Sequence, residues 1–167
     1  MKRITVFAAV LLFLLPLAAG CSGAKLPDFG MTAKQIMQGA VDVGGKLGYS
    51  LKVTSYEANT QTDAGVKTTD YSYTINDYLY LVIESSSAYG DSISIGLDDT
   101  AFDSGYSADP TSEWVALVYG VMSTIDPSAD YDEFDELFSA ADVISYHGYT
   151  YTYSEYNAVY YVIITAE

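Results

Sequence analysis

Apolar residues recur along this chain with two different periods, one typical of helices and the other typical of strands. The helical period occurs in three segments. The first helix is predicted to begin at Thr32, because Thr32 and Gln35 form the pattern of a capping box. The second is predicted to begin at Asp109, where an acceptor side chain precedes a proline, and the third at Asp130. The apolar faces of these helices are predicted to contain Ile36, Ala40, Val43, Leu47, Trp114, Leu117, Val118, Val121, Met122, Ile125, Phe134, Leu137 and Phe138.

Six segments are predicted to be strands, some from the alternation of apolar and polar residues and residues 159–164 because they are apolar on both faces, as in an interior strand. These strand candidates are residues 51–54, 66–75, 78–83, 92–97, 149–153 and 159–164. Between the second and third candidates, Asn76-Asp77 predicts a two-residue hairpin turn, in which Tyr73 would face Tyr80. The last two candidates are predicted to form a second hairpin.

Placed in chain order, these elements predict the arrangement α-β-β-β-β-α-α-β-β. We therefore expect an α+β domain with an antiparallel sheet of about six strands and three helices packed on one sheet face. Two polar stretches, residues 59–65 and 98–108, are expected to be loops. A single domain over residues 29–167 is consistent with the length of the chain.

The first 21 residues differ from the rest of the chain. Lys2 and Arg3 precede a nearly uninterrupted apolar run over residues 4–17, and small residues lead to Cys21. The apolar run is shorter than the roughly 20 residues that a transmembrane helix needs. The ending Leu17-Ala18-Ala19-Gly20-Cys21 resembles the lipobox of bacterial lipoproteins.

The resemblance to bacterial lipoproteins implies an extracytoplasmic address. A signal peptide of residues 1–20 would be removed, and a diacylglyceryl group would be joined to the sulfur of Cys21. Residues 21–28 would then be the lipidated cysteine and a short tether. The expected location is the cell membrane or the outer membrane, with the domain lipid-anchored and facing away from the cytoplasm.

Acidic residues dominate the charge of the chain. The formal net charge is −15, and removal of Lys2 and Arg3 with the leader would leave five basic residues against 22 acidic ones, or −17. No Lys or Arg follows Lys67. Nucleic-acid binding is therefore excluded, because it requires basic residues against the phosphates. The acidity either keeps the protein soluble or, with the basic residues early in the chain, forms an acidic pole directed away from the membrane.

Tyrosine is unusually abundant, with 17 residues against 6 phenylalanines. One hypothesis is an open, tyrosine-rich sheet face that binds a protein, a peptide or a glycan. The alternative is structural, since tyrosine suits half-buried strands. The candidate ligand-binding residues are Tyr149, Tyr151 and Tyr153, followed by Tyr71 and Tyr73.

The chain contains few of the residues that catalytic and metal-binding motifs require. His147 is the only histidine and Cys21 the only cysteine, so no catalytic residue and no cofactor is predicted. Asp98, Asp99 and Asp103 are weak candidates for calcium binding.

Three functions stay open at this point. The first is a non-enzymatic binding domain on a lipid anchor. The second is an accessory protein or weak hydrolase acting on cell-wall or dietary glycans. The third is an inhibitor or immunity-type protein that blocks a partner with its acidic face.

Overall fold

The computed structural model describes residues 25–107, 109–156 and 159–167. The leader and Cys21 lie outside the described residues, so the signal peptide and its lipidation stay predictions. Among the helices of the described part, none is both long and apolar enough to cross a membrane.

The described part of the chain forms an α+β fold with one antiparallel sheet, as the sequence predicts. Its helices are α1 (Ala33–Lys46), α2 (Thr100–Ser104), α3 (Pro110–Ile125) and α4 (Tyr131–Ala140). Its strands are β1 (Val53–Asp63), β2 (Val66–Ile75), β3 (Leu79–Ser86), β4 (Gly90–Asp98), β5 (Val143–Tyr146), β6 (Tyr149–Tyr156) and β7 (Val159–Ala166). The additions to the predicted elements are the five-residue α2, inside the expected loop 98–108, and the short strand β5.

The sheet has the order β1-β2-β3-β4-β7-β6-β5, and each strand is antiparallel to its neighbours. Strands β4 and β7 pair in the middle, which joins the first four strands to the last three. Strands β1 and β5 form the two edges. The three final strands therefore add to the sheet as a unit after the chain has passed through its helices.

The expected loop over residues 59–65 is wrong. Strand β1 continues to Asp63, which pairs with Val66, and the turn consists of Ala64 and Gly65 alone. Every residue of β1 after Val53 is exposed. Backbone hydrogen bonds to β2 hold these polar residues in a strand. Because neither face of this part of β1 is buried, its sequence lacks the apolar alternation by which a strand is recognised.

The predicted register of the β2–β3 hairpin is also wrong, by one residue. Asn76 and Asp77 have the positive φ angles of a tight turn, but Ile75 pairs with Leu79, and Tyr78 is an additional residue in the connection. Tyr73 therefore faces Leu81 and not Tyr80. Because side chains alternate between the two faces of a strand, this shift places Tyr80 on the face opposite to Tyr73.

The core lies between one face of the sheet and the helices. The sheet contributes side chains that are at most 2% exposed, namely Ile75, Leu79, Leu81, Ile83, Ile93, Ile95, Leu97, Val162 and Ile164. Helices α1 and α3 cover them with Ile36, Ala40, Leu117 and Val121, all 0% exposed. The two helices cross closely at Gly120, where a β-carbon would lie 2.5 Å from the carbonyl oxygen of Ala40.

The three predicted helix starts are confirmed by their caps. Thr32 and Gln35 make both hydrogen bonds of a capping box, and the carboxylates of Asp109 and Asp130 accept from the backbone three residues later. The predicted apolar face of α3 is correct, but one residue predicted for the apolar face of α1 and one predicted for that of α4 are not buried. Leu47 and Leu137 are exposed, because α1 ends at Lys46 and α4 faces the core through Phe134.

Candidate functional site

A shallow groove opens on the outer side of the helix layer, away from the sheet. It lies where the chain leaves α1, passes over the N-terminal half of α3 and reaches the first turns of α4. Its volume is about 430 Å³, which falls within the range of small-ligand and peptide-anchor sites. Its lining consists of Leu47, Tyr49, Ser112, Val115, Ala116, Tyr131 and Asp135. We call this surface the helix-layer groove.

Helix α4 forms one wall of the groove and is held in place by aromatic contacts. Phe134 is its one buried residue, and it stacks on Phe138 at 5.3 Å and meets Tyr151 of β6 edge-on at 5.1 Å. Tyr131 meets Tyr119 of α3 edge-on at 4.8 Å. The polar face of α4 is thereby left toward solvent.

A smaller hollow of about 30 Å³ extends the groove between α3 and α4. It shares Val115, Tyr131 and Asp135 with the groove and reaches Trp114 and Phe138. The indole of Trp114 donates to the backbone oxygen of Ile95 at 3.3 Å, which fixes the floor to strand β4. Trp114 is the only tryptophan of the chain, so its fluorescence reports on this part of the site.

The groove is apolar at its floor and acidic at one wall. Burial, followed by the negative charge of Asp135, raises the pKa of Tyr131 above its ordinary value, so its hydroxyl stays a neutral donor. Helix α4 carries Asp132, Glu133, Asp135 and Glu136 with no basic residue. Lys46 is the last residue of α1 and immediately precedes Leu47, which lines the groove. The arrangement can bind an apolar group that carries positive charge.

Comparison of the chain with protein-family models, with curated proteins and with solved structures gives no match.

The tyrosines predicted to form an open binding face lie on the covered face of the sheet. Tyr151 is 0% exposed, and Tyr149 and Tyr153 are half-buried beside it against α3 and α4. The buried hydroxyl of Tyr151 has no hydrogen-bond partner among the described residues. The prediction of an open face at these residues is wrong, because alternation reveals that they share a face but not that helices cover it.

The other two candidate residues, Tyr71 and Tyr73, lie in different environments. Tyr73 is 5% exposed and stacks on Tyr56 of β1 at 4.8 Å. Tyr71 is half-buried and lines a separate hollow together with Lys67 and the serines 85–87. The structure does not bring either residue into contact with the helix-layer groove.

The uncovered face of the sheet carries many serines and threonines and, by the strand register, Tyr80, Tyr156 and Tyr161. Tyr156 is 68% exposed near the end of β6. Tyr80 and Tyr161 flank Gly96 in the register of β3, β4 and β7, and a β-carbon on Gly96 would lie 3.1 Å from the ring of Tyr161. Tyr80 donates to Asp98 at 3.2 Å, so Tyr80 and Tyr161 are engaged with their own sheet.

His147 lies in the turn between β5 and β6. Its Nδ1 is 2.6 Å from Asp126 Oδ2, and its ring stacks on Tyr146 at 4.0 Å. Burial raises the pKa of Asp126, but hydrogen bonds from Ser128 and His147 outweigh it and hold the pKa below its ordinary value. The imidazole ties the end of α3 to this turn.

The three calcium candidates do not come together. Asp98 accepts from the backbone and the hydroxyl of Thr100, and these bonds hold its pKa below the ordinary range. Asp99 immediately precedes α2 without a side-chain capping bond, and Asp103 lies within that helix. Among the described residues, no group of three or more His, Cys, Asp or Glu side chains is placed to hold a metal ion.

The groove residues were not predicted as a site. Leu47 was assigned to the apolar face of α1, yet its side chain is 44% exposed, and Tyr131 is 38% exposed at the start of α4. The residues around Leu47 and Tyr131 have sequences typical of ordinary helix termini. No pattern within either segment indicates that the two meet over α3.

Proposed function

We propose that this protein is a lipid-anchored, extracytoplasmic binding protein that presents the helix-layer groove to a ligand outside the cytoplasm. The observation that carries the binding function is the groove itself, with exposed aromatic and aliphatic side chains around an apolar floor. Tyrosine at such a surface gives rigid contact area with a polar tip, a composition typical of binding sites.

The start of the fold supports the anchored arrangement. Leu26 is 1% exposed, so the stretch that the sequence assigns to a tether reaches the core at this residue. The backbone N–H of Asp28 donates to Asp91 at 3.0 Å, and that of Asp91 donates back to Asp28 at 2.8 Å. Five residue steps separate Cys21 from Leu26, a span of at most about 18 Å. A lipid on Cys21 would hold this end of the domain beside the bilayer.

The groove would then face away from the membrane surface. Residues 26–28 are close to the C-terminus of α3, because Phe29 stacks on Tyr149 at 5.9 Å and the hydroxyl of Tyr149 donates to the backbone oxygen of Ile125 at 3.5 Å. Ser112 and Val115 precede Ile125 by 13 and 10 residues in α3. At 1.5 Å per residue the groove lies about 15–20 Å along the helix from the anchored end. A ligand in the groove would therefore not compete with lipid headgroups for space.

The binding function is tested by titrating Trp114 fluorescence of the domain over residues 22–167 with a panel of peptides and cell-wall glycans. We expect a saturable change with one class of ligand, since Trp114 adjoins the groove. A domain that stays folded and gives no saturable signal with any member of the panel would contradict the binding function.

The acidic charge supports a second candidate, an inhibitor or immunity-type protein. Its partner would carry a basic surface, and association would slow as salt screens the attraction. The two candidates differ in the size of the partner, because an inhibitor occupies a folded protein surface and the groove alone holds only a short segment.

A further inference from the structure

We infer that the helix-layer groove binds a cationic, partly apolar polypeptide segment. This inference rests on the proposed binding function and names the chemistry of its ligand. Two features of the groove carry it, the apolar floor and the uncompensated acidic wall.

The floor sets the apolar part of the ligand. Val115 and Ala116 lie between Leu47 and Tyr49 on one side and Tyr131 on the other. Apolar side chains that enter this space exclude water from surfaces that are partly exposed in the free protein. Ser112 and Tyr119 are seven residues apart, which is about 10 Å of helix. Two turns of an amphipathic helix match that length, and this is a recurrent mode of peptide recognition.

The wall sets the charge of the ligand. Asp135 lines the groove, and Asp132 is close enough to act on Tyr131 as well. Within the part of the chain that the structure describes, no ion pair involves α4, which contains no basic residue, and Glu133 accepts only a neutral hydrogen bond from Tyr146. Among the described lining residues Asp135 is the one charged side chain, and its helix carries three further carboxylates, whereas Lys46 only precedes the lining residue Leu47 in sequence. A neutral segment would gain the apolar contacts without this attraction, and an anionic segment would be repelled by the negative potential.

Three probes of equal length test the inference. Each is an 18-residue helical peptide with leucine on one face and lysine, glutamine or glutamate on the other. Binding to the domain is followed by Trp114 fluorescence at low and at moderate salt. The lysine peptide is expected to bind at least about tenfold more tightly than the glutamine peptide, with the difference shrinking as salt is added.

Matched variants locate the site. Asp135→Asn is expected to lower the affinity for the lysine peptide by about two- to fivefold, the range for one solvent-accessible charge pair. Glu57→Gln removes the same charge from the exposed strand β1 and is expected to leave binding unchanged. Tyr131→Ser is expected to lower the affinity for every peptide that binds. Tyr89→Ser changes a turn residue that is 83% exposed and is expected to leave these affinities unchanged. Circular dichroism establishes that each variant is folded.

The outcomes separate this inference from the function on which it rests. Equal affinity for the lysine and glutamine peptides would overturn the charge preference and leave the binding function standing. Binding of the lysine peptide that is insensitive to both Asp135→Asn and Tyr131→Ser would overturn the location. Failure of every peptide to bind while a glycan of the panel does would overturn the polypeptide ligand alone. Failure of every probe would overturn both proposals.

Discussion

Replacement of Gly120 by alanine is expected to lower the free energy of unfolding by about 3 kcal/mol, the upper part of the range for overpacking a core. The added methyl group would lie 2.5 Å from the carbonyl oxygen and 3.0 Å from the α-carbon of Ala40. Both are backbone atoms, so no side-chain rotation relieves the clash. Helices α1 and α3 must separate, and the buried contacts of Ile36 and Leu117 weaken with them.

Gly45→Ala provides the matched control for Gly120→Ala. Gly45 also lies in a helix, but a β-carbon there meets nothing within 4 Å. Alanine is expected to stabilise the domain by about 0.5–1 kcal/mol, because glycine is a poor helix former. Urea unfolding followed by Trp114 fluorescence measures both variants. Equal stability of the Gly120→Ala variant and the wild type would mean that the helices do not cross at this point.

Unfolding at alkaline pH is the second large effect we expect. Burial, with smaller contributions from Tyr56 and Tyr71, raises the pKa of Tyr73 from 10.0 to about 12. Burial also raises the pKa of Tyr151 well above its ordinary value. In the unfolded chain both hydroxyls would ionise near pH 10. Stability contributed by the neutral hydroxyls is fully present below pH 10 and is lost as the pH rises through the folded pKa values.

The loss from Tyr73 alone is on the order of 2 kcal/mol at pH 12, since each unit of pKa difference corresponds to about 1.4 kcal/mol. Absorbance at 295 nm is expected to show tyrosines that ionise only as circular dichroism is lost. Tyr73→Phe and Tyr151→Phe are each expected to move the unfolding midpoint to higher pH, and Tyr89→Phe, at an 83% exposed position, to leave it in place. Ionisation of all tyrosines near pH 10 with the fold intact would contradict the burial of Tyr73 and Tyr151.

The parts of the fold that depend on a few neighbouring residues were predicted from the sequence. The capping box of Thr32 and Gln35 and the cap at Asp109 act within three residues, so local pattern is sufficient to place both helix starts. The broad apolar face of α3 was recognised for the same reason. A helix buried between other elements needs many apolar residues, and these are visible in the sequence.

Features that depend on distant parts of the chain were missed. Alternation showed that Tyr149, Tyr151 and Tyr153 share a face, but α3 and α4 decide which face is covered. Strand β1 extends to Asp63 because β2 supplies its hydrogen bonds, and its exposed side chains leave no apolar signal. The groove combines the end of α1 with α3 and α4, so its residues acquire a common role only after packing.

The lipid anchor is tested by intact-mass and peptide mass spectrometry of the protein extracted from membranes of its native cells. We expect a mature chain that begins at Cys21 and carries a diacylglyceryl group on its sulfur. A mature chain with an unmodified cysteine, or one that begins elsewhere, would contradict the anchored position from which the outward orientation of the groove is argued.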